Sequence, residues 1–200
     1  MKNEVKMAII ENYRNLFSKY SGNSPEAVQM SSEGQRFRFE KLTEIANLKG
    51  LRVLDLGCGT GDMYPFLMNR FGDIDYTGID ITPDSVAYAT EKYPHARFLC
   101  CDILNEDIDE IFDYVLLSAV FNNAIPNSTE FLEELITVAF RHCSLGLGFN
   151  FISKFVNITD SQLAYHNPVE IFDFCLRELT HNVIVHHHYE RCDVVVFAYR

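Results

Sequence analysis

Val53-Leu54-Asp55-Leu56-Gly57-Cys58-Gly59-Thr60-Gly61 is an apolar run that ends in three alternating glycines. It reads as a buried parallel strand entering a turn, with a helical pattern from Met63 to Phe71 behind it. Glycines at alternate positions let the backbone lie flat against a ligand and take dihedrals that a side chain forbids. The following helix aims its unpaired N–H groups back at that turn. A second acid, Asp80, ends the next strand-like run, Tyr76-Thr77-Gly78-Ile79-Asp80. Open α/β sheets use this arrangement to hold the ribose of an adenosine cofactor.

The spacing separates two kinds of adenosine cofactor. A dinucleotide turn is G-x-G-x-x-G, with a pyrophosphate at the helix N-terminus. Here the turn is G-x-G-x-G, and Asp55 precedes it on the strand. A carboxylate at that place repels phosphate and suits a ligand carrying an ammonium group. The stretch resembles the first motif of the class I S-adenosylmethionine-dependent methyltransferases, whose acid-x-Gly-x-Gly-x-Gly loop holds the methionine part of the cofactor. The resemblance implies cofactor contacts from Asp55, Gly57, Cys58, Gly59 and Gly61, with Asp80 on the ribose hydroxyls. It also implies Asp102 and Ile103 on the adenine, where Cys100-Cys101-Asp102-Ile103 ends the third strand. Ile81 is expected against one adenine face. Read alone, Asp102 is a solvated acid in a run with Glu106, Asp107, Asp109 and Glu110.

Around this motif the chain alternates. Strands are predicted at 51–56, 74–80, 96–101, 112–118 and 144–151, and helices at 62–71, 83–93, 128–142 and 168–178. Strict alternation predicts a doubly wound, Rossmann-like, mostly parallel sheet with helices on both faces. The apolar runs Val183–His188 and Val194–Tyr199 are too close to admit a crossover helix. They must form an antiparallel hairpin, which brings the sheet to seven strands. A parallel sheet finished in that way is a second point of resemblance to the class I methyltransferases, covering about residues 51–200.

Before the sheet, Val5, Ile9, Tyr13, Leu16 and Tyr20 stand at helical spacing. Ser21-Gly22-Asn23-Ser24-Pro25 breaks that helix. Ser32 and Gln35 then read as a capping box for a second helix, running to Lys49 and closed by Gly50. We read residues 1–200 as one domain, with 1–49 a helical arm and 50–200 the core. The polar and aromatic stretch from Ser24 to Phe39 is similar to the lid of small-molecule methyltransferases. That similarity makes Tyr13, Gln35 and Arg38 cofactor contacts, with Arg38 pairing its carboxylate.

The fourth strand ends in Leu117-Ser118-Ala119-Val120-Phe121-Asn122-Asn123, where methyl group and acceptor should meet. Ser118 is assigned to the cofactor. The Asn/Asp-Pro-Pro-Tyr/Phe signature of enzymes that methylate amines and amides of nucleic acids and proteins is missing from it. Ser118 also stands where metal-dependent catechol-type enzymes carry an acid, so the expected reaction uses no metal. Candidate bases are His166 and Tyr165, in the loop after the fifth strand. His142 suits the end of a helix better, and His186, His187 and His188 alternate in direction along a strand.

Bulk properties bound the rest. The net charge of −11 divides into +2 for residues 1–49 and −13 for 50–200. An acidic body argues against nucleic acid as partner. No apolar run reaches bilayer length and the start lacks a signal-peptide core, so a soluble cytoplasmic protein is expected. Six cysteines show no C-x-x-C pair or zinc spacing, and Cys58 is read first as a small filler of the loop. The expected function is metal-free methyl transfer from S-adenosylmethionine to a small-molecule metabolite or natural-product intermediate. A peptide or protein acceptor, and a catalytically idle cofactor-binding subunit that activates a partner, are the alternatives.

Overall fold

The computed structural model describes residues 3–20, 31–106, 108–157, 159–188 and 192–200. Seven strands form one sheet: β1 (Arg52–Leu56), β2 (Asp75–Asp80), β3 (Arg97–Cys100), β4 (Phe112–Leu117), β5 (Cys143–Ile152), β6 (Val183–His188) and β7 (Asp193–Tyr199). Their order is β3-β2-β1-β4-β5-β7-β6. The first five are parallel, and β7 runs antiparallel between β5 and β6. The order reverses at β1, so β1 and β4 open a crevice at their carboxyl ends.

The strands are apolar on both faces because helices cover both. One core joins Leu54, Val115, Leu117, Phe149 and Phe151 to Leu132, Ile136 and Phe140 of helix α5 (Ser128–Arg141). The other joins Val53, Leu116 and Phe197 to Phe39 and Leu42 of α2 (Ser32–Leu42) and to Met63 and Leu67 of α3 (Met63–Phe71). Leu54 has no exposed surface, and truncating such a side chain to alanine costs roughly 2–5 kcal/mol. Helix α4 (Pro83–Lys92), opened by proline in its first turn, lies on β2 and β3. Helix α1 (Asn3–Tyr20) lies against α4, and α6 (Pro168–Phe174) continues into a wider turn over Cys175–Leu179.

Three sequence expectations are corrected. The second helix stops at Leu42, followed by one tight turn over Thr43–Ile45, and does not reach Lys49. The Thr43 hydroxyl donates to the Phe39 and Glu40 carbonyls, and Ala46 is already extended. Gly50 keeps its positive φ of 75°, but in a turn rather than as a helix cap. The cap of α2 is Ser31, whose hydroxyl accepts the Gly34 N–H, so Ser32 and Gln35 form no capping box. Asn127 begins α5 in the left-handed region with no side-chain cap. The expected break at Ser21–Pro25 and the lid stretch from Ser24 to Met30 lie outside the described residues.

Candidate active site

At the end of β1 the chain turns through Gly57, Gly59 and Gly61, with φ of 81°, 51° and 78°. The first and last of these glycines are required by the packing. A Cβ at Gly57 would stand 2.5 Å from a Val120 methyl, and one at Gly61 2.8 Å from the Phe98 ring. The Gly57 and Cys58 amides donate to the Ile79 carbonyl at 2.7 and 3.1 Å, fixing the turn against β2. Asp80 then fastens the loop from the side. Its carboxylate accepts the Gly59 N–H and the Thr82 N–H, each at 2.8 Å. Burial pushes the Asp80 carboxyl up, and those N–H bonds pull against that shift.

Asp55 is buried beneath the turn and accepts the Tyr76 hydroxyl at 2.8 Å. Loss of water pushes its carboxyl up to about 7, against the Tyr76 bond and with repulsion from Asp80 adding to it. A cationic group arriving here would find an acid that ionises easily in its presence. The turn, Asp55 and Asp80 thus form a cradle with bare backbone, an ammonium acceptor and a hydroxyl acceptor. These are the donors and acceptors that S-adenosylmethionine needs, and the chemistry of the set fits it.

One pocket gathers most of the residues assigned from sequence. Asp55, Gly57, Cys58, Gly59, Asp80, Ile81, Asp102, Ile103, Ser118, Tyr13 and Gln35 all line it. Gly61 does not, since it faces Phe98 and Ala89 and serves the packing of the turn. Asp102 is buried and holds Lys6 of α1 at 2.8 Å and the Asn105 amide at 2.8 Å. Burial raises the Asp102 carboxyl, but Lys6 and Asn105 outweigh it and leave it below the usual range. Tyr13, also on α1, accepts the Asn123 amide at 2.7 Å, and burial pushes its phenol up to about 12. Helix α1 therefore crosses the mouth of the pocket, fastened at the ends of both β3 and β4.

Three further assignments are corrected. Arg38 does not line the pocket, because α2 turns Gln35 and Phe39 inward and carries Arg38 to Asp193 of β7, at 3.2 Å. His166 is 1% exposed and sits in the core behind the pocket. Its Nε2 lies 3.1 Å from the Phe121 carbonyl and its Nδ1 3.3 Å from the Thr129 hydroxyl. Burial holds the imidazole below its usual pKa, so it stays neutral and works as a structural link. Tyr165 spends its oxygen on the Asp160 N–H at 2.8 Å. Neither candidate base reaches the pocket wall.

Sequence reasoning missed Asn150, which supports the turn just beyond β4. Ala119 takes φ of 60°, and its amide donates to the Asn150 carboxamide at 2.7 Å. The Ser118 hydroxyl and the Asn150 Nδ2 are buried with no hydrogen-bond partner. A buried asparagine inside the apolar run Gly146–Ile152 was the available signal. Among the described residues no group of three or more His, Cys, Asp or Glu side chains could hold a metal ion. No helix among them is long and apolar enough to cross a membrane.

Comparison with known proteins agrees with this geometry. Residues 47–142 match a family model described as a methyltransferase domain. A protein of Mycobacterium tuberculosis named as a methyltransferase is 30% identical over 146 residues, 68% of this chain and 86% of that protein. The malonyl-[acyl-carrier protein] O-methyltransferase of Acetivibrio thermocellus is 36% identical over 73 residues, 36% of this chain and 26% of that enzyme. In fold, the chain is similar to the magnesium protoporphyrin IX methyltransferase of Synechocystis PCC 6803 with bound S-adenosylhomocysteine. The TM-score is 0.69 at 16% identity, covering 98% of this chain and 99% of that one.

Proposed function

We propose, because this chain belongs to the class I S-adenosylmethionine-dependent methyltransferases, that its pocket transfers the cofactor's methyl group to a small molecule without a metal. The carrying observation is the joint placement of the glycine turn, Asp55 and Asp80 at the reversal of strand order. When bound, the cofactor supplies a sulfonium-activated methyl group. The chain's own residues bind, orient and exclude water. Asp80 accepts the ribose hydroxyls, Asp55 the ammonium, and the bare turn admits the chain between them. Asp102 and Ile103 take the adenine end, with Ile81 against the ring. Cys58 fills the loop.

Orientation and desolvation supply several kcal/mol to such a displacement without a dedicated acid or base. That accords with a pocket wall that His166 and Tyr165 do not reach. A small acceptor is favoured over a peptide because Ile9 and Tyr13 of α1 enclose the pocket mouth. The relatives named above act on a carrier-bound malonyl group and on a magnesium porphyrin, so their acceptors do not single one out.

Calorimetry with S-adenosylmethionine, S-adenosylhomocysteine and NAD tests the cofactor reading. Binding of the first two and not the third is expected, and the reverse would overturn it. Turnover unchanged by a metal chelator is expected of the metal-free reaction, and turnover restored only by added cation would refute that part.

A further inference from the structure

The pocket wall is unusual in its charges. Its charged side chains are all acids, Asp55, Asp62, Asp80 and Asp102, and among the described residues no Lys, Arg or His lines it. The nearby cations Lys6 and Lys92 are each committed, to Asp102 at 2.8 Å and to Asp62 at 2.9 Å. An anionic acceptor such as a carboxylate would find, among the described residues of this wall, no uncommitted cation to pair with.

A second feature disfavours another class. An alcohol or phenol must lose its proton as it attacks, a step that a base on the wall would speed. Asp62 accepts Thr60 and Lys92, Asp80 accepts two backbone N–H groups, and Asp102 accepts Lys6 and Asn105. Asp55 accepts Tyr76 under the turn, where the cofactor's ammonium belongs. Tyr13, with its phenol pushed up to about 12, remains protonated.

A third feature is positive. The Ser118 hydroxyl, at the acceptor end of β4, is more than nine-tenths buried, lines the pocket and has no partner. A buried hydroxyl left unpaired costs about 1–3 kcal/mol, so a ligand that pairs with it gains at this place. Leu117 is in register with Phe149, which sets Ser118 beside Asn150, whose Nδ2 is also without a partner.

From these observations we propose that the acceptor is an amine whose nitrogen is uncharged at neutral pH, received by the Ser118 hydroxyl. The inference rests on the methyl-transfer reading and names its substrate class. Such a nitrogen needs no base and no counter-ion. Its N–H donates to the Ser118 oxygen while its lone pair stays free to attack. That lone pair forms the new nitrogen–carbon bond, and the carbon–sulfur bond breaks with its electrons going to sulfur. The nitrogen is left as a methylated ammonium, and it sheds one proton to water on release.

The test uses matched amine, hydroxyl and carboxylate compounds on a one-ring, a two-ring and an open-chain skeleton. Each is titrated calorimetrically into full-length protein saturated with S-adenosylhomocysteine. Each is then incubated with protein and methyl-deuterated S-adenosylmethionine, and the labelled atom is located by mass spectrometry. At least one amine should bind tenfold or more tighter than its carboxylate partner and carry the label on nitrogen. Ser118→Ala should raise that amine's KM about tenfold and leave the affinity for S-adenosylhomocysteine within twofold of wild type, a split that moves Ser118 from the cofactor, where its place in the sequence put it, to the acceptor. A carboxylate that binds as tightly as its amine, label on oxygen, or no amine bound on any skeleton would overturn the proposal. If S-adenosylhomocysteine itself does not bind, the failure belongs to the methyl-transfer reading instead.

Discussion

The Asn150 carboxamide oxygen accepts the Ala119 amide N–H at 2.7 Å, from a fully buried position on β5 to the residue just beyond β4. Ala119 is in the left-handed region, which disfavours any residue with a Cβ by about 1–2 kcal/mol. The bond holds a strained turn on the pocket wall. Asn150→Ala should therefore destabilise the protein by about 1–3 kcal/mol, since it strands a buried N–H. Urea unfolding measures this. A midpoint unmoved from wild type would show that water or a rearranged turn satisfies Ala119 equally well.

Asp80 serves the fold before it serves a ligand, because it fastens Gly59 and Thr82. Asp80→Ala should weaken S-adenosylhomocysteine binding by about 2–4 kcal/mol, through lost charge-assisted bonds and a loosened turn. Gly59→Val should weaken it further, since a branched residue resists φ of 51°. Calorimetry on folded variants decides, and two variants that bind normally would place the site elsewhere.

Asp55 gives the protein a pH signature. Its folded-state pKa, raised to about 7 by burial, exceeds that of the unfolded chain, so the native state binds the extra proton. Its contribution to stability is then complete below the unfolded value, about 3.9, and is lost progressively as pH rises from there to about 7, at up to about 1.4 kcal/mol per pH unit. A ligand with an ammonium group selects the ionised acid, so cofactor affinity should rise over the same window. Urea unfolding of ligand-free protein from pH 5.5 to 8.5 should show the decline, and Asp55→Asn should flatten it. Equal slopes in both proteins would assign the pH dependence to other groups.

Much of this was legible from residue pattern. Strand–turn–helix order and the short gap before Val194 dictate the parallel sheet and its closing hairpin, because those constraints are local. The glycine turn and Asp80 are legible for the same reason. The end of α2 is not, since Thr43 stops the helix by bonding backwards while Ala46 extends to meet the core. His166 and Arg38 misled for a different reason. Position in a loop or on a helix says nothing of which partner lies across the fold, and here the partners are the Phe121 carbonyl and Asp193. Asn150 is the converse case, a polar residue in an apolar strand whose purpose appears only once β4 lies beside β5.

The last prediction concerns α1, which we take to be a lid as well as a packing element. Three side chains fasten it across the pocket: Lys6 to Asp102, Tyr13 to Asn123, and Arg14 to Asp84 at 2.8 Å. Phe17 meets the Tyr88 ring edge-on at 5.4 Å. The Arg14 pair is exposed and contributes at most about 1 kcal/mol. Opening admits a ligand, and closing over it excludes water and completes the acceptor end. Lys6 holds the carboxylate assigned to the adenine, so ligand and latch share Asp102. Hydrogen exchange across residues 3–20 should therefore be fast in the free protein and slow when S-adenosylhomocysteine is added. Deleting residues 1–20 should leave a folded sheet that binds the cofactor more weakly and no longer turns over. Exchange already slow without ligand, and unchanged by it, would make α1 permanent structure and remove Tyr13 from any gating role.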